Sequence, residues 1–298
     1  MKIAIASGKG GTGKTTVATN LALAAARSGR RVAYVDCDVE EPNGHLFLKP
    51  LITSARAIGR MHPKVDDDKC THCGLCGEIC QYSAIVCVGQ KVLVYPELCH
   101  ACGGCTLVCR PGAITEVLRE TGKLEAGMAE AGAAVAIHFV QGVLNIGEAM
   151  STPLIRQVKA EFKGEELRIV DCPPGTSCPV IESVRDAEMV LLVTEPTPFG
   201  LNDLTLAVEM VRAMKLPFAV VINRTGIGDR KTQEYCRREG IEIMAEIPDD
   251  RRVAEAYSKG LLACEAVPEF RLCMEGLLDR LCGVDGLASR NLPQEAAR

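Results

Sequence analysis

The sequence has no tryptophan and only six phenylalanines and five tyrosines in 298 residues, although 47% of its residues are hydrophobic. That scarcity carries no functional reading of its own. Other absences do exclude function classes. Basic charge is not in excess: 34 Lys and Arg face 38 Asp and Glu, a net charge of −4. The electrostatic footprint of a phosphate-backbone binder is therefore missing, and nucleic acid is not expected as a partner. No uncharged apolar run is long enough to span a bilayer, and the apolar opening at Met1–Ala6 is too short for a signal peptide. The expectation is a soluble, cytoplasmic protein with no integral membrane association. Cysteine, by contrast, is abundant at 16 residues. In a reducing compartment such a density points to metal ligation rather than structural disulfides.

Along the chain, an apolar strand (Lys2 to Ala6), a glycine-rich loop (Ser7 to Gly13), a helix to about Ser28 and a second strand from Arg31 to Val35 form a first βαβ unit. Residues 62–118 change character, with cysteines crowded around strand-like segments at Ala84–Val88 and Val92–Tyr95, and read as an inserted module. Apolar runs at 167–170, 189–194, 218–223 and 241–247 then alternate with helical stretches at 201–214, 231–239, 251–259 and 269–281. The segments 1–61 and 119–298 thus form one discontinuous α/β domain, doubly wound around a mostly parallel sheet. The final dozen residues, with Gly286 and Pro293, read as a frayed end.

Gly8-Lys9-Gly10-Gly11-Thr12-Gly13-Lys14-Thr15 fits the P-loop pattern, directly after a strand and directly before a helix. Its glycines let backbone amides turn toward one anion, and the helix N-terminus adds its positive end. Lys14 then reaches the β and γ phosphates, and Thr15 ligates magnesium. ATP or ADP and Mg2+ are the implied ligands.

With Lys9 and Thr16 included, the loop resembles the deviant P-loop of the MinD, ParA and nitrogenase iron-protein superfamily. The resemblance implies that Lys9 reaches across an ATP-sandwiched dimer to the partner's nucleotide. It implies that Asp38, ending Val35-Asp36-Cys37-Asp38, orients the attacking water, with Asp36 near the magnesium shell. Val170-Asp171-Cys172-Pro173-Pro174-Gly175-Thr176 resembles the family's Walker B and switch II segment, with Asp171 holding magnesium through water. Asn223 resembles an adenine-recognising asparagine, and Pro248, in Ile247-Pro248-Asp249-Asp250, belongs to a segment resembling the loop over the base. A turn or helix cap remains the plain alternative for these last two.

Cys70, Cys73, Cys76 and Cys80 are followed by Cys99, Cys102, Cys105 and Cys109 at the same intervals, the bacterial ferredoxin spacing twice. Zinc is the rival, but a triple C-x-x-C-x-x-C wastes a ligand in zinc geometry. In two-cluster ferredoxins the fourth cysteine of each run crosses over. That resemblance implies one 4Fe-4S cluster on Cys70, Cys73, Cys76 and Cys109, and a second on Cys99, Cys102, Cys105 and Cys80. The proline that follows the last cysteine in ferredoxins is replaced by Gln81 in the first run and delayed to Pro111 in the second. His72 and His100 lie between ligands, as exposed loop residues or as tuners of cluster sulfur.

Eight cysteines remain: Cys37, Cys87, Cys172, Cys178, Cys236, Cys264, Cys273 and Cys282. Most read as small buried apolar residues, while Cys178, just beyond switch II, is a candidate redox or cluster contact. The combination resembles MinD-superfamily ATPases carrying an inserted two-cluster ferredoxin domain. It implies a homodimer or a heterodimer with a homologous ATPase, in which nucleotide gates electron transfer to a redox partner. Two alternatives stand beside this: an Mrp-like iron-sulfur carrier, whose C-terminal C-x-x-C is missing here, and a MinD- or ParA-like spatial organiser. For the last, Glu269–Cys282 is amphipathic but carries acidic residues that favour a packed helix over a membrane anchor. The label cobyrinic acid a,c-diamide synthase is attached to similar sequences, but no glutaminase-like region is present.

Overall fold

The computed structural model describes residues 1–130, 136–161, 164 and 166–283, so the frayed end expected beyond Gly286 lies outside the described residues. The chain forms two compact units. The first comprises residues 1–55, 124–143 and 155 onward; the second comprises 56–123 and 144–154. The second unit takes in residues 62–118, and its boundaries fall inside three strands and one helix that carry no cysteine.

In chain order the elements are β1 (Lys2–Ala6), α1 (Lys14–Arg27), β2 (Val32–Asp36), α2 (Gly44–Leu48) and β3 (Leu51–Val65). Then come α3 (Leu75–Ile79), β4 (Ile85–Val88), β5 (Lys91–Val94), a 3-10 turn at Pro96–Leu98, α4 (Gly104–Val108), β6 (Ile114–Glu130) and β7 (Ala136–Leu144). The chain continues with α5 (Thr152–Ala160), β8 (Leu167–Asp171), α6 (Cys178–Val184), β9 (Met189–Thr194), α7 (Pro198–Ala213) and β10 (Phe218–Thr225). It closes with α8 (Lys231–Arg238), β11 (Ile243–Pro248), α9 (Arg251–Ser258), α10 (Ala263–Ala266) and α11 (Pro268–Cys282).

The main sheet runs β11-β10-β9-β1-β8-β2-β7-β6-β3. Every pairing from β11 to β7 is parallel. β1, β2, β8 and β9 are apolar on both faces and almost wholly buried, as strands between two helical layers must be. α1 is rich in alanine and buries most of its length, so it lies close on the sheet, and it stops at Gly29, whose φ is 86°. Three of the few aromatics, Tyr34, Phe139 and Phe218, are fully buried in this unit, and the Tyr34 and Phe139 rings stack with centroids 5.7 Å apart. α11 buries Phe270, Met274, Leu277, Leu278 and Leu281 in the same core, so its apolar face is packed, as its charges suggested. Among the described residues no helix is long and apolar enough to cross a membrane.

In the second unit β4 and β5 form an antiparallel hairpin. Among the described residues, one small buried cluster of this unit is Cys76, Ile85 and Ile114, with Val65, Val92, Val94 and further cysteines around them.

Candidate functional site

The first candidate site lies at the C-terminal ends of β1, β2, β8 and β10, where α/β sheets of this kind bind ligands. The chain leaves β1 and turns tightly through Ser7–Gly13, with the Ser7 hydroxyl donating to the Lys9 carbonyl at 2.6 Å. A Cβ on Gly8 would fall 2.1 Å from the main-chain oxygen of Asp203, so only glycine fits there. Gly13, at φ 92°, opens α1 in a left-handed conformation that disfavours other residues. No side chain caps α1, so its first-turn amides keep their donor capacity beside the loop. Gly10, Gly11, Gly13, Lys14, Thr15 and Thr16 line an open cleft of about 700 Å3, together with Asp38, Asn223 and Pro248. Asn223 also donates from Nδ2 to the Thr12 carbonyl at 2.9 Å, tying β10 to the loop.

Gly8, Lys9, Thr12, Asp36 and Asp171 do not line this cleft. Thr12 is buried, and its Oγ1 has no partner. Asp36 and Asp171 are in register at the ends of β2 and β8 and almost fully buried. Asp36 is committed to its own loop: Oδ1 accepts from the Asp38 amide at 3.1 Å and Oδ2 from the Gly44 amide at 3.0 Å. Asp171 Oδ2 accepts from the Tyr34 hydroxyl at 2.8 Å, whereas Oδ1 is buried without a partner. Burial pushes Asp36 well up, and the Asp171 charge adds to the shift. Asp171 is also raised by burial, against the opposing influence of Lys14, Thr15 and Tyr34. Asp38 is pushed up to about 6 by burial, with Lys14 opposing and Asp171 reinforcing. An orphaned carboxylate oxygen beside two further carboxylates, one lysine and a threonine suits a hard divalent cation such as Mg2+.

Lys9 is held within its own chain, its Nζ 2.6 Å from Glu195 Oε1. Arg224, in the left-handed region at φ 56°, lies 3.7 Å from Glu195 Oε2 and 2.9 Å from Asp249 Oδ1. Tyr34 and Glu195 carry no motif, so sequence reasoning did not single them out, whereas Arg224 directly follows the adenine-recognising candidate Asn223.

The second candidate site is in the cysteine unit, where the two runs repeat one geometry. In each, a non-glycine left-handed residue (His72, Ala101) and a left-handed glycine (Gly74, Gly103) precede a short helix, α3 or α4. In each, the amide four residues past the last cysteine donates to that cysteine's sulfur at 3.3 Å, Ala84 to Cys80 and Ala113 to Cys109. The Ala101 amide donates to Cys99 Sγ at 3.4 Å. Burial works against ionisation of Cys80, yet the amides of Tyr82, Ile85, Ala84 and Ser83 leave its thiol lowered. Cys70, Cys73, Cys76 and Cys109 line one narrow pocket whose other walls include Val65, Val92 and Ile114. Pro111, one position later than in ferredoxins, still lines it. Thiols gathered on an apolar wall with amides aimed at sulfur match the donor set of an iron-sulfur cluster. Among the described residues no three His, Cys, Asp or Glu side chains converge closely enough to hold a single ion.

His100 stacks flat on Tyr82, with ring centroids 3.4 Å apart, linking the segments that follow Cys80 and Cys99. Arg60 donates to the Cys99 carbonyl at 2.6 Å and pairs with Glu148, which also binds Arg119. Cys87, which read as a packing residue, lies on the wall of the same cavity.

CbiA, the CobQ/CobB/MinD/ParA nucleotide binding domain, matches residues 3–263. The chain belongs to this family. Members of the CbiA family include MinD- and ParA-type P-loop ATPases, in keeping with the loop and cleft described above. Two uncharacterised proteins of Methanocaldococcus jannaschii are each 32% identical to the chain, over 87% of it and 90% of one, and over 94% of it and 96% of the other. A protein named iron-sulfur cluster carrier protein from Pyrococcus abyssi is 26% identical, over 87% of this chain and 78% of its own. The structure of the septum site-determining protein MinD with Mg-ADP from Pyrococcus horikoshii superposes with a TM-score of 0.56 at 21% identity, covering 97% of this chain and 98% of that one. This similarity shows the fold.

Proposed function

We propose that this CbiA-family protein is a magnesium-dependent ATPase that loads iron-sulfur clusters on its cysteine unit and passes them to a client protein. The observation that carries this reading is the gathering of Cys70, Cys73, Cys76 and Cys109 on one apolar wall, in a chain whose other unit holds a phosphate loop. The iron-sulfur carriers among its relatives support it.

In the nucleotide unit, the amides of Gly10–Thr15 and the Lys14 ammonium bind the phosphates, and Thr15 and Thr16 close the first turn beneath them. Thr15 and Asp171, with Asp36 behind, would hold Mg2+, which would neutralise charge on the phosphates. Asp38 orients the attacking water. Asn223 and Pro248 bound the adenine, and Lys9 leaves Glu195 to reach the nucleotide of a partner, a second copy or a homologous ATPase. In the cysteine unit, residues 62–118 are the ferredoxin-like insert. Cys70, Cys73, Cys76 and Cys109 take one 4Fe-4S cluster, and Cys99, Cys102, Cys105 and Cys80 the other.

Anaerobic reconstitution followed by iron and sulfide counting tests the reading. About eight irons per chain are expected, with ATP-dependent transfer to an apo-acceptor that Lys14→Ala abolishes without loss of iron. A reconstituted protein without iron would sink the proposal.

The duplicate geometry of the two runs favours a second reading, in which the clusters stay bound and nucleotide gates electron transfer to a redox partner. Two complete sets exceed what a single labile cargo needs. Cluster potentials that shift between ADP and a non-hydrolysable ATP analogue, without transfer of iron, would favour it.

A further inference from the structure

We propose that Cys87 is a fifth thiol of the first cluster site, placed to take over iron from Cys76 as the cluster is handed on. The inference rests on the carrier reading. Cys87 lies outside both cysteine runs, on β4 of the hairpin between them. Its Sγ is 3.6 Å from Cys76 Sγ, and it lines the cavity together with Cys70, Cys73, Cys76 and Cys109.

The strand register fixes this placement. Side chains two apart on a strand share a face, and Ile85, two residues earlier, is buried in the small core with Cys76 and Ile114. The closeness is also built in from the helix side. A Cβ on Gly77, next to Cys76, would meet the Cys87 amide nitrogen at 3.3 Å and its sulfur at 3.7 Å, so the bare glycine lets α3 lie against β4. A plain apolar filler would account for a small residue at 87. It would not account for a thiol that shares a wall with four candidate ligands and touches one of them.

The exchange needs no oxidant. The Cys87 sulfur bonds to iron as the Cys76 sulfur leaves it, and the proton lost by the Cys87 thiol passes to Cys76. Each iron keeps its number of thiolate bonds throughout, while the cluster is detached from α3. That gives release a stepwise path in place of simultaneous rupture of four bonds.

The test uses the full chain, reconstituted anaerobically, with iron and sulfide counted in wild type, Cys76→Ala, Cys76→Ala/Cys87→Ala and Cys73→Ala. Wild type and Cys76→Ala are expected to hold about eight irons, and the double variant and Cys73→Ala about four. Equal iron in Cys76→Ala and the double variant would overturn the inference while leaving the carrier reading intact. Absence of iron from wild type would overturn both. Should Cys76→Ala not fold, loss of iron from Cys87→Ala to a ferrous chelator decides. Release several-fold slower than wild type is expected, and an unchanged rate counts against the proposal.

Discussion

Cys37 and Cys172 follow the ends of β2 and β8 without exposure, and burial pushes both thiols up. Cys236 is pushed up to about 11 and Cys264 to about 12 by the same cause. A protonated, enclosed thiol is a poor nucleophile. Iodoacetamide at neutral pH is therefore expected to spare these four in the native protein and to modify Cys178, which is exposed at the start of α6. Peptide mass spectrometry reads the pattern, and labelling of Cys37 or Cys172 ahead of Cys178 would contradict it. Asp186 illustrates the opposite shift. Burial works against its charge, but Lys159 and Lys2, the latter 3.0 Å away, hold its carboxyl below the usual 3.8. A carboxylate with a lowered folded-state pKa stabilises the fold above its unfolded value, and that contribution is lost as pH falls through the folded one. The group is half exposed, so solvent screening limits its worth. Asp186→Asn is expected to lower stability by under about 1 kcal/mol at pH 7, a difference that shrinks below about pH 4. Urea melts at the two pH values measure it.

At the scale of elements, the turn from β1 into α1 depends on two glycines for different reasons: Gly8 for space and Gly13 for conformation. Gly13→Ala would place a Cβ 2.3 Å from Asn223 Nδ2 and hold alanine at φ 92°. Loss of the stabilisation that Mg-ADP confers on thermal melting is expected, and a variant that still gains it would show that the loop tolerates the change. Elements of this unit differ in how far sequence betrays them. β1, β2 and β8 to β11 are short apolar runs bounded by turns, and their positions were readable to within a residue or two. β3 and β6 were not. The first half of β3 is exposed, so it lacks apolar alternation, and β6 is rich in Glu, Leu and Ala, which favour helix in isolation. Pairing along the sheet overrides that preference. The hairpin β4-β5 was legible as the two strand-like segments Ala84–Val88 and Val92–Tyr95. In the sites, the motif residues were legible because phosphate and cluster chemistry fix their spacing. Tyr34, Glu195 and Cys87 were not, because each acts through a contact that only the folded sheet or hairpin creates.

At the scale of the whole molecule, the two units differ in how they are held. The nucleotide unit is built on an extensive aliphatic core, while the cysteine unit has, among the described residues, a small buried group of Cys76, Ile85 and Ile114. A group that small stabilises little on its own, and bound clusters would supply much of the unit's folding energy. Stripping iron with a chelator is expected to lower or abolish a separate low-temperature calorimetric transition while leaving the MgADP-sensitive one in place. A single transition unmoved by chelation would contradict this. The pairing of Lys9 with Glu195 has a further consequence. If Lys9 serves a partner's nucleotide, each copy must first open a contact that satisfies it at home, so association carries a built-in threshold. Below a certain protein concentration the copies stay self-satisfied even with ATP present. Glu195→Gln is expected to lower that threshold a few-fold, which sedimentation with a non-hydrolysable ATP analogue would read directly. On that reading, one 2.6 Å ion pair would set how abundant the protein must be before it acts.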